Sequence, residues 1–172
     1  MKRDSLLYFL DKEVENFRRL PETDGLPEDI FLFSSRLTPI VNIDLLIKDE
    51  NGRILLSWRD DEYAGSGWHL PGGIVRFKEK VLDRVKKVSE IEIGTVVGFN
   101  PVPIAHNEII LEQNTRGHFI SFLYDCVLPS EFILNNKVLS SVDPGYLQWH
   151  DFCPENLVEV HEMYRSIIND NQ

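Results

Sequence analysis

The chain has 172 residues, of which 42% are hydrophobic, and this length and composition fit one compact domain with a sizeable core. Its 28 acidic residues outnumber its 18 basic residues, which gives a formal net charge of -10 at pH 7. This charge disfavours broad contact with nucleic acid or with anionic lipid. A polyanionic ligand would therefore have to be met by a local basic site.

Cysteine content and apolar runs indicate the cellular compartment. Cys126 and Cys153 have no metal-ligand spacing, and one pair is too few for a disulfide-rich secreted scaffold. The apolar run at residues 5–10 is too short for a signal peptide, and no stretch is long enough to span a bilayer. We therefore predict a cytoplasmic protein with free thiols and with neither membrane nor nucleic-acid partners.

An amphipathic stripe near the N-terminus predicts a helix over residues 4–20, ending before Pro21. Its apolar face must be covered by the parent domain or by a second copy of the chain, so homodimerisation is a hypothesis. We expect residues 1–37 to form an N-terminal helical extension and residues 38–172 to form the main domain. The apolar positions of the stripe are Leu6, Leu7, Leu10, Val14 and Phe17.

The central segment combines strand and helix patterns. Residues 38–48 and 53–58 are rich in strand-forming residues and flank a polar turn, which predicts a β-hairpin. A loop containing glycines then leads to Pro71-Gly72-Gly73. Apolar residues at helical spacing predict an amphipathic helix over residues 78–91, which Gly94 ends.

The C-terminal half is predicted to contain further strands at residues 95–106, 118–128 and 145–150, followed by a closing helix at residues 154–168. Helices that alternate with strands indicate the α/β or α+β class, with a mixed β-sheet between helices. No internal repeat, low-complexity tract or interdomain linker is visible in the sequence.

The spacing of Gly73, Glu79, Lys87, Glu92 and Gly94 resembles the signature box of the Nudix superfamily. The resemblance implies a Nudix fold with a helix that carries clustered metal-binding glutamates. The positions of those glutamates hold Val88, Ile91 and Glu92 in this chain. They lie three and four residues apart, on one helix face, and a single carboxylate cannot hold a two-metal clamp.

One Nudix branch, the GDP-mannose mannosyl hydrolases, is similar to this chain over residues 38–94 and also keeps only the last glutamate. This resemblance implies cleavage at the anomeric carbon of a nucleotide sugar, which releases a nucleoside diphosphate and a free sugar with the help of one Mg²⁺ ion. The matching residues are Thr38, Pro39, Asp44, Leu55, Leu56, Arg59, Ala64, Trp68, Pro71, Gly72 and Gly73.

Carried over residue by residue, the resemblance implies a metal site at the backbone carbonyl of Gly72 and the carboxylate of Glu92. Arg59 would face the diphosphate and take part in catalysis, and Asp44 would contact the base or the sugar. The branch also has a substrate-directed histidine at the position of His106. Strand-end histidines without a function are equally common, so this role has an alternative.

Three positions depart from the branch. The arginine after the Gly-Gly pair is Ile74, with Arg76 as a substitute if the loop permits, and the box arginine is Lys87, which keeps the charge without the bidentate fork. The Gln-His pair that supplies a metal ligand and the general base is also missing. Asp143 is the residue in that stretch able to bind a metal or accept a proton, although Asp-Pro-Gly is also strong turn chemistry.

Arg116 and His118 flank a polar loop over residues 112–117 and could close over a diphosphate, although loop arginines are often only solvated. The sequence thus predicts a magnesium-dependent hydrolase of a nucleotide sugar. Two alternatives stay open. One is a non-catalytic nucleotide-sugar binder that has lost the base, and the other is an ordinary Nudix pyrophosphohydrolase, which Val88 and Ile91 oppose.

Overall fold

The computed structural model describes residues 27–169 and, before them, Tyr8, Asp11, Lys12 and Glu15. These four residues are helical and exposed, and the rest of the helix predicted over residues 4–20 lies outside the described residues. None of the helices in the described part of the chain has the length and apolar character needed to cross a membrane.

A mixed β-sheet forms the centre of the molecule, and the described residues contribute eight strands to it. The strand order is β3-β2-β1-β7-β5, with β4 paired to β1, β6 to β7 and β8 to β2. The β1–β7 pair is parallel and the other pairs are antiparallel. The strands are β1 (Ile40–Lys48), β2 (Ile54–Asp61), β3 (Gly65–His69), β4 (Gly72–Ile74), β5 (Gly98–Phe99), β6 (Ala105–Ile110), β7 (His118–Val127) and β8 (Leu147–His150).

Helical segments cover both faces of this sheet. They are α1 (Glu28–Ser34), α2 (Val81–Val88) with a π-helical continuation (Ser89–Ile93), a 3₁₀ helix (Glu159–Tyr164) and α3 (Arg165–Asn169). Alternate residues of β1 enter two separate cores because successive strand side chains point to opposite faces. Leu45 packs with Val85 of α2, and Leu46 packs with Tyr164 and Ile168. The predicted fold class, a mixed sheet between helices, is confirmed.

Several predicted elements agree with the structure. The hairpin is formed by β1 and β2, and its turn is held by Asp49, whose carboxylate accepts hydrogen bonds from the backbone N–H groups of Asn51 and Arg53, both at 2.9 Å. The predicted box helix corresponds to α2 and its π-helical continuation, and Gly94 ends it with a left-handed φ of 87°. This backbone angle favours glycine over residues with a side chain.

Two other predicted elements are shorter in the structure than the sequence indicated. The strand predicted over residues 95–106 is reduced to β5 and the start of β6, because the intervening Pro101 and Pro103 have no backbone N–H to donate to a ladder. The closing helix predicted over residues 154–168 begins only at Glu159, first as a 3₁₀ helix and then as α3. The strands β3 and β4 lie in a segment where the sequence predicts only a glycine-rich loop.

Candidate functional site

A cavity of about 660 Å³ lies beside the antiparallel pairing of β1 with β4. Strand pairing brings Asp44 opposite Gly72, and the π-helical segment adds Glu92. The cavity therefore gathers residues that are distant in sequence. Those among its lining that the sequence indicated as site residues are Asp44, Arg59, Gly72, Arg76, Glu92 and Arg116.

Asp44 is buried on the floor of this cavity, with 1% of its surface exposed. Its Oδ2 atom accepts hydrogen bonds from the Ser121 hydroxyl at 2.5 Å and from the Tyr164 hydroxyl at 2.7 Å. Its Oδ1 atom accepts one from the Asn42 side-chain amide at 3.0 Å. This network holds the carboxylate in one orientation, and a buried carboxylate is tolerated because its oxygens have donors.

Gly72 and Gly73 allow close packing around this floor. A Cβ atom on Gly72 would lie 2.5 Å from Asp44 Oδ1, and one on Gly73 would lie 2.7 Å from a methyl carbon of Val88. Both positions therefore exclude a side chain for steric reasons. Val88 is 3% exposed and belongs to the core beneath α2, whereas Ile91 is 75% exposed and lines the cavity.

Glu92 is the acidic residue that the box helix presents to the cavity. Burial raises the pKa of Glu92 to about 7, Arg59 acts in the opposite direction, and the carboxylate of Asp44 adds to the increase. The carboxylate of Asp44 therefore disfavours the charged form of Glu92. A bound cation would relieve this repulsion.

Arg59 reaches the cavity from β2 and forms an ion pair with Asp61 through its Nε atom. Asp61 also accepts hydrogen bonds from the backbone N–H groups of Tyr63 and Ala64, at 2.8 and 2.9 Å, which fixes the turn after β2. These contacts lower the pKa of Asp61 despite the opposing effect of burial. The guanidinium is thus tethered on one side.

Lys87 does not line the cavity. Its Nζ atom lies 3.7 Å from Oε1 of Glu79 and its side chain is 54% exposed. Glu79 is instead held by the buried Arg84, at 2.6 Å from Nη2, and by the backbone N–H of Arg76, at 2.9 Å. The box glutamate therefore fixes the loop before α2, and Arg84 provides the principal charge partner.

His106 and His118 lie away from the cavity lining. Side chains alternate along β6, so His106, Glu108 and Ile110 are exposed on one face while Ile109 lines the cavity on the other. His118 lies opposite Ile110 on β7, and its Nε2 atom is 3.1 Å from Oε1 of Glu108. Neither histidine lines the cavity that holds Asp44 and Glu92.

Asp143 occupies a turn and is also outside the cavity lining, although the following Pro144 and Gly145 belong to it. Its carboxylate accepts a hydrogen bond from the backbone N–H of Ser140 at 2.7 Å. The hydrogen bonds from Ser140 lower the pKa of Asp143. These contacts are those of a turn-forming aspartate, and a lowered pKa makes a carboxylate a weaker base.

Two histidines that the sequence reasoning missed, His69 and His161, line the cavity. The Nδ1 atom of His69 lies 2.8 Å from the carbonyl oxygen of Ser57, and a carbonyl can only accept, so Nδ1 carries the proton. Nδ1 of His161 accepts a hydrogen bond from the Leu70 N–H at 3.1 Å, and its Nε2 atom lies 3.6 Å from Asp44 Oδ1. Because Nδ1 of His69 carries the proton, the neutral ring of His69 has Nε2 free to accept a hydrogen bond at the cavity.

The charge state of these histidines follows from their surroundings. Burial lowers the pKa of His69 to about 3, and the neighbouring His161 and Arg59 contribute to the decrease. Burial also lowers the pKa of His161, against the opposing influence of Asp44. Both rings are therefore neutral at pH 7.

The cavity offers few side chains that could bind a metal ion. Among the described residues, no group of three or more histidine, cysteine, aspartate or glutamate side chains could hold an ion. Mg²⁺, however, often binds through one or two carboxylates together with water and substrate phosphates. The carboxylate of Glu92, close enough to Asp44 for their charges to interact, fits one such ion.

Comparisons with known proteins are consistent with this architecture. No protein-family model matches the sequence. The chain is 35% identical over 75 residues to the low-salt glycan biosynthesis protein Agl8 of Haloferax volcanii, a match that covers 44% of this chain and 47% of that protein. The matched segment thus spans about half of the length of that relative.

Solved structures align over most of the chain. A MutT NUDIX hydrolase from Burkholderia pseudomallei is 24% identical with a TM-score of 0.57, covering 78% of this chain and 98% of that one. A MutT/nudix family protein from Enterococcus faecalis is 17% identical with a TM-score of 0.58, covering 98% of this chain and 67% of that one. These likenesses, together with the mixed sheet and the box helix, show that the chain has the Nudix fold.

Proposed function

We propose that this protein hydrolyses a GDP-mannose-like nucleoside-diphosphate sugar at its glycosyl–phosphate bond. Water adds to the anomeric carbon, and the products are a nucleoside diphosphate, a free sugar and a proton. The observation that carries the proposal is the single box carboxylate at the cavity, Glu92, in the same lining as Asp44, Arg59 and Gly72. Pyrophosphate cleavage with a cluster of metals would need more carboxylates.

The name of the relative in Haloferax volcanii supports a sugar-containing substrate, since that protein is described as acting in low-salt glycan biosynthesis. The resemblance of residues 38–94 to the GDP-mannose mannosyl hydrolases points in the same direction. A cavity of about 660 Å³ is within the range that holds a small ligand.

The backbone carbonyl of Gly72 and the carboxylate of Glu92 would hold one Mg²⁺ ion, which would offset the charge of the diphosphate leaving group. Arg59 would bind the diphosphate with the part of its guanidinium that does not contact Asp61. Asp44, held by Ser121 and Tyr164, would accept a hydrogen bond from the sugar or the base.

The proton from the attacking water needs an acceptor, and His69 suits this role better than Asp143. Its Nδ1–H donates to Ser57, which leaves Nε2 unprotonated at the cavity. A bound diphosphate would raise the pKa of His69 from its low value, because a nearby negative charge favours the protonated ring. The turn contacts of Asp143 hold its carboxylate outside the lining.

A second candidate function is nucleotide-sugar binding without turnover. It is favoured by the burial of the His69 ring, which lowers the pKa of His69 to about 3 and makes this ring a weak base until a ligand changes its surroundings. The two functions share the cavity and the diphosphate ligand. They differ only in whether products form.

The test is incubation of the protein with a panel of GDP-, ADP-, UDP- and CDP-sugars, with Mg²⁺ or with EDTA, followed by chromatography of the products. We expect a nucleoside diphosphate and a free sugar, formed only with Mg²⁺. The Glu92→Gln variant should lose most of this turnover, with Glu90→Gln as the control on a more exposed glutamate. Release of a nucleoside monophosphate would contradict the proposal, and tight binding without products would favour the second candidate.

A further inference from the structure

The guanidinium of Arg116 makes cation–π contacts with two aromatic rings. Its Cζ atom lies 4.5 Å from the centroid of the Tyr63 ring and 5.6 Å from that of the Phe31 ring. Tyr63 follows β2, and Phe31 belongs to α1, so the two rings come from separate parts of the fold. Cation–π contacts of this kind restrict a side chain that otherwise has many rotamers.

Hydrogen bonds also fix the backbone of Arg116. Its φ of 55° lies in the left-handed region, which costs free energy for a residue other than glycine. The backbone N–H donates to the hydroxyl of Ser35 at 2.9 Å, and the carbonyl accepts from the side-chain amide of Gln113 at 2.9 Å. Ser35 caps the end of α1, so this helix fixes Arg116 through two contacts.

Arg116 retains unused hydrogen-bonding capacity. Its Nε atom is buried and, within the part of the chain that the structure describes, has no hydrogen-bond partner. Neither Arg116 nor Arg76 forms an ion pair within 4.0 Å with a described carboxylate. Asp61 and Glu28 are nevertheless close enough to act on the pKa of Arg116, and Glu79 acts on that of Arg76. Burial, with a contribution from Arg59, lowers the pKa of Arg116. A buried donor without a partner is unfavourable unless a ligand supplies the acceptor.

The two arginines meet at a second cavity of about 260 Å³, which is lined by Glu28, Phe31, Ile74, Arg76 and Arg116. Ile74, Arg76 and Arg116 also line the larger cavity, so the two spaces adjoin. Arg76 and Arg116 therefore place two positive charges beside Ile74, where the two cavities adjoin.

We infer that Arg116 and Arg76 form the binding site for the terminal phosphate of the nucleoside diphosphate, and that Phe31, Ser35 and Tyr63 position Arg116 for it. The assignment rests on the proposed diphosphate-containing substrate. It makes α1 a functional part of the site, because Phe31 and Ser35 fix the guanidinium that meets the phosphate. A planar guanidinium held in advance binds phosphate with less loss of entropy.

Binding of product nucleotides tests this inference without requiring turnover. The dissociation constants of GDP, ADP, UDP and CDP and of the matching monophosphates would be measured by calorimetry in Mg²⁺. For the diphosphate that binds most tightly, Arg116→Gln should weaken binding about tenfold to a hundredfold. Monophosphate binding should change less than about twofold, because the terminal phosphate is absent.

Ring variants separate positioning from general stability. Tyr63→Leu and Phe31→Leu should each weaken diphosphate binding by about twofold to tenfold, whereas Tyr63→Phe keeps the ring and should bind like the wild type. Thermal unfolding of each variant checks that it is folded. Equal losses for diphosphate and monophosphate in Arg116→Gln, unchanged binding in that variant, or no diphosphate binding by the wild type would overturn the inference.

Failure of the proposed function gives a different result. If nucleotide sugars are not hydrolysed but Arg116→Gln selectively loses diphosphate binding, the phosphate site stands and the hydrolytic function does not. If hydrolysis occurs and Arg116→Gln leaves diphosphate binding unchanged, the hydrolytic function stands and the phosphate site does not.

Discussion

Val88 packs directly against Gly73, so closely that a Cβ atom on the glycine would lie 2.7 Å from a methyl carbon of the valine. The first and the middle part of the box are therefore joined by a core contact. Val88 is 3% exposed and stands at a position where the resemblance to the Nudix box implies a metal-binding glutamate. The side chain of Val88 therefore contributes core packing and has no carboxylate to offer a metal.

Val88→Glu and Ile91→Glu should therefore differ sharply, although both restore a box glutamate. Val88→Glu buries a carboxylate against Gly73 and should lower the free energy of unfolding by about 3 kcal/mol or more. Ile91 is 75% exposed at the cavity, so Ile91→Glu should change stability by less than about 0.5 kcal/mol. Urea denaturation of both variants measures these values.

Ile91→Glu should also bind Mg²⁺ more tightly than the wild type, because it adds a second carboxylate beside Glu92. Calorimetric titration with MgCl₂ measures the affinity, and Ile91→Gln is the matched control without the charge. An affinity equal to that of Ile91→Gln would show that position 91 does not face the metal site.

Asp143 and His69 can be separated by conservative substitutions. Asp143→Asn keeps an oxygen that accepts the Ser140 hydrogen bond, and turnover should stay within about twofold of the wild-type value because the side chain lies outside the cavity lining. His69→Gln should lower kcat by about a hundredfold, in the range of general-base losses. Steady-state kinetics with the best nucleotide sugar provides both numbers, and the reverse ranking would return the base role to Asp143.

Removal of the Tyr164 hydroxyl should weaken the floor of the cavity. Tyr164 is 1% exposed and donates to Asp44 at 2.7 Å, so Tyr164→Phe leaves a buried carboxylate with one donor fewer. The expected loss of stability is about 1 to 3 kcal/mol. Thermal or urea unfolding measures it, with Tyr146→Phe as a control on a tyrosine that is less buried. A loss no larger than in the control would show that Asp44 does not depend on this hydroxyl.

The contribution of His69 to the stability of the fold should fall as the pH is lowered below about 6.5. Its pKa in the folded state is about 3, against a value near 6.5 when unfolded, so between these values the unfolded chain binds more protons. The contribution is fully present above pH 6.5 and decreases by up to about 1.4 kcal/mol per pH unit below it. Glu92 has the opposite effect on stability. Its pKa is raised from 4.5 to about 7, so between these values the folded state binds more protons and the contribution of Glu92 grows as the pH falls.

A comparison of variants isolates the histidine. The free energy of unfolding of the wild type and of His69→Gln would be measured by urea denaturation between pH 7 and pH 5. The difference between the two should shrink or reverse in favour of the variant as the pH falls. Parallel curves would show that His69 is not held neutral in the folded state.

The fold was predictable where local chemistry is strong. The turn around Asp49 and the helical spacing before Gly94 indicate the hairpin and the box helix directly. The strands β3 and β4 are rich in glycine and have little intrinsic strand preference, and they exist because pairing with β2 and β1 satisfies their backbone groups. The pairing partners of such short glycine-rich strands cannot be identified from the sequence pattern.

The residues of the site were predictable only in part. Asp44, Arg59, Gly72 and Glu92 follow from the resemblance, whereas His161 comes to the cavity only through packing of the C-terminal 3₁₀ helix. His69 carried one signal, its place two residues before Pro71, within the segment that resembles the mannosyl hydrolases. Its tautomer depends on the Ser57 carbonyl, which only the β2–β3 register shows.

The position of solvent oxygen in the products tests the central claim most directly. The protein would be incubated with its preferred nucleotide sugar and Mg²⁺ in water enriched in oxygen-18, and the products would be weighed by mass spectrometry. Cleavage of the glycosyl–phosphate bond predicts label in the free sugar and none in the nucleoside diphosphate. Label in a nucleoside monophosphate or in a sugar phosphate would contradict the account, because it shows attack at phosphorus.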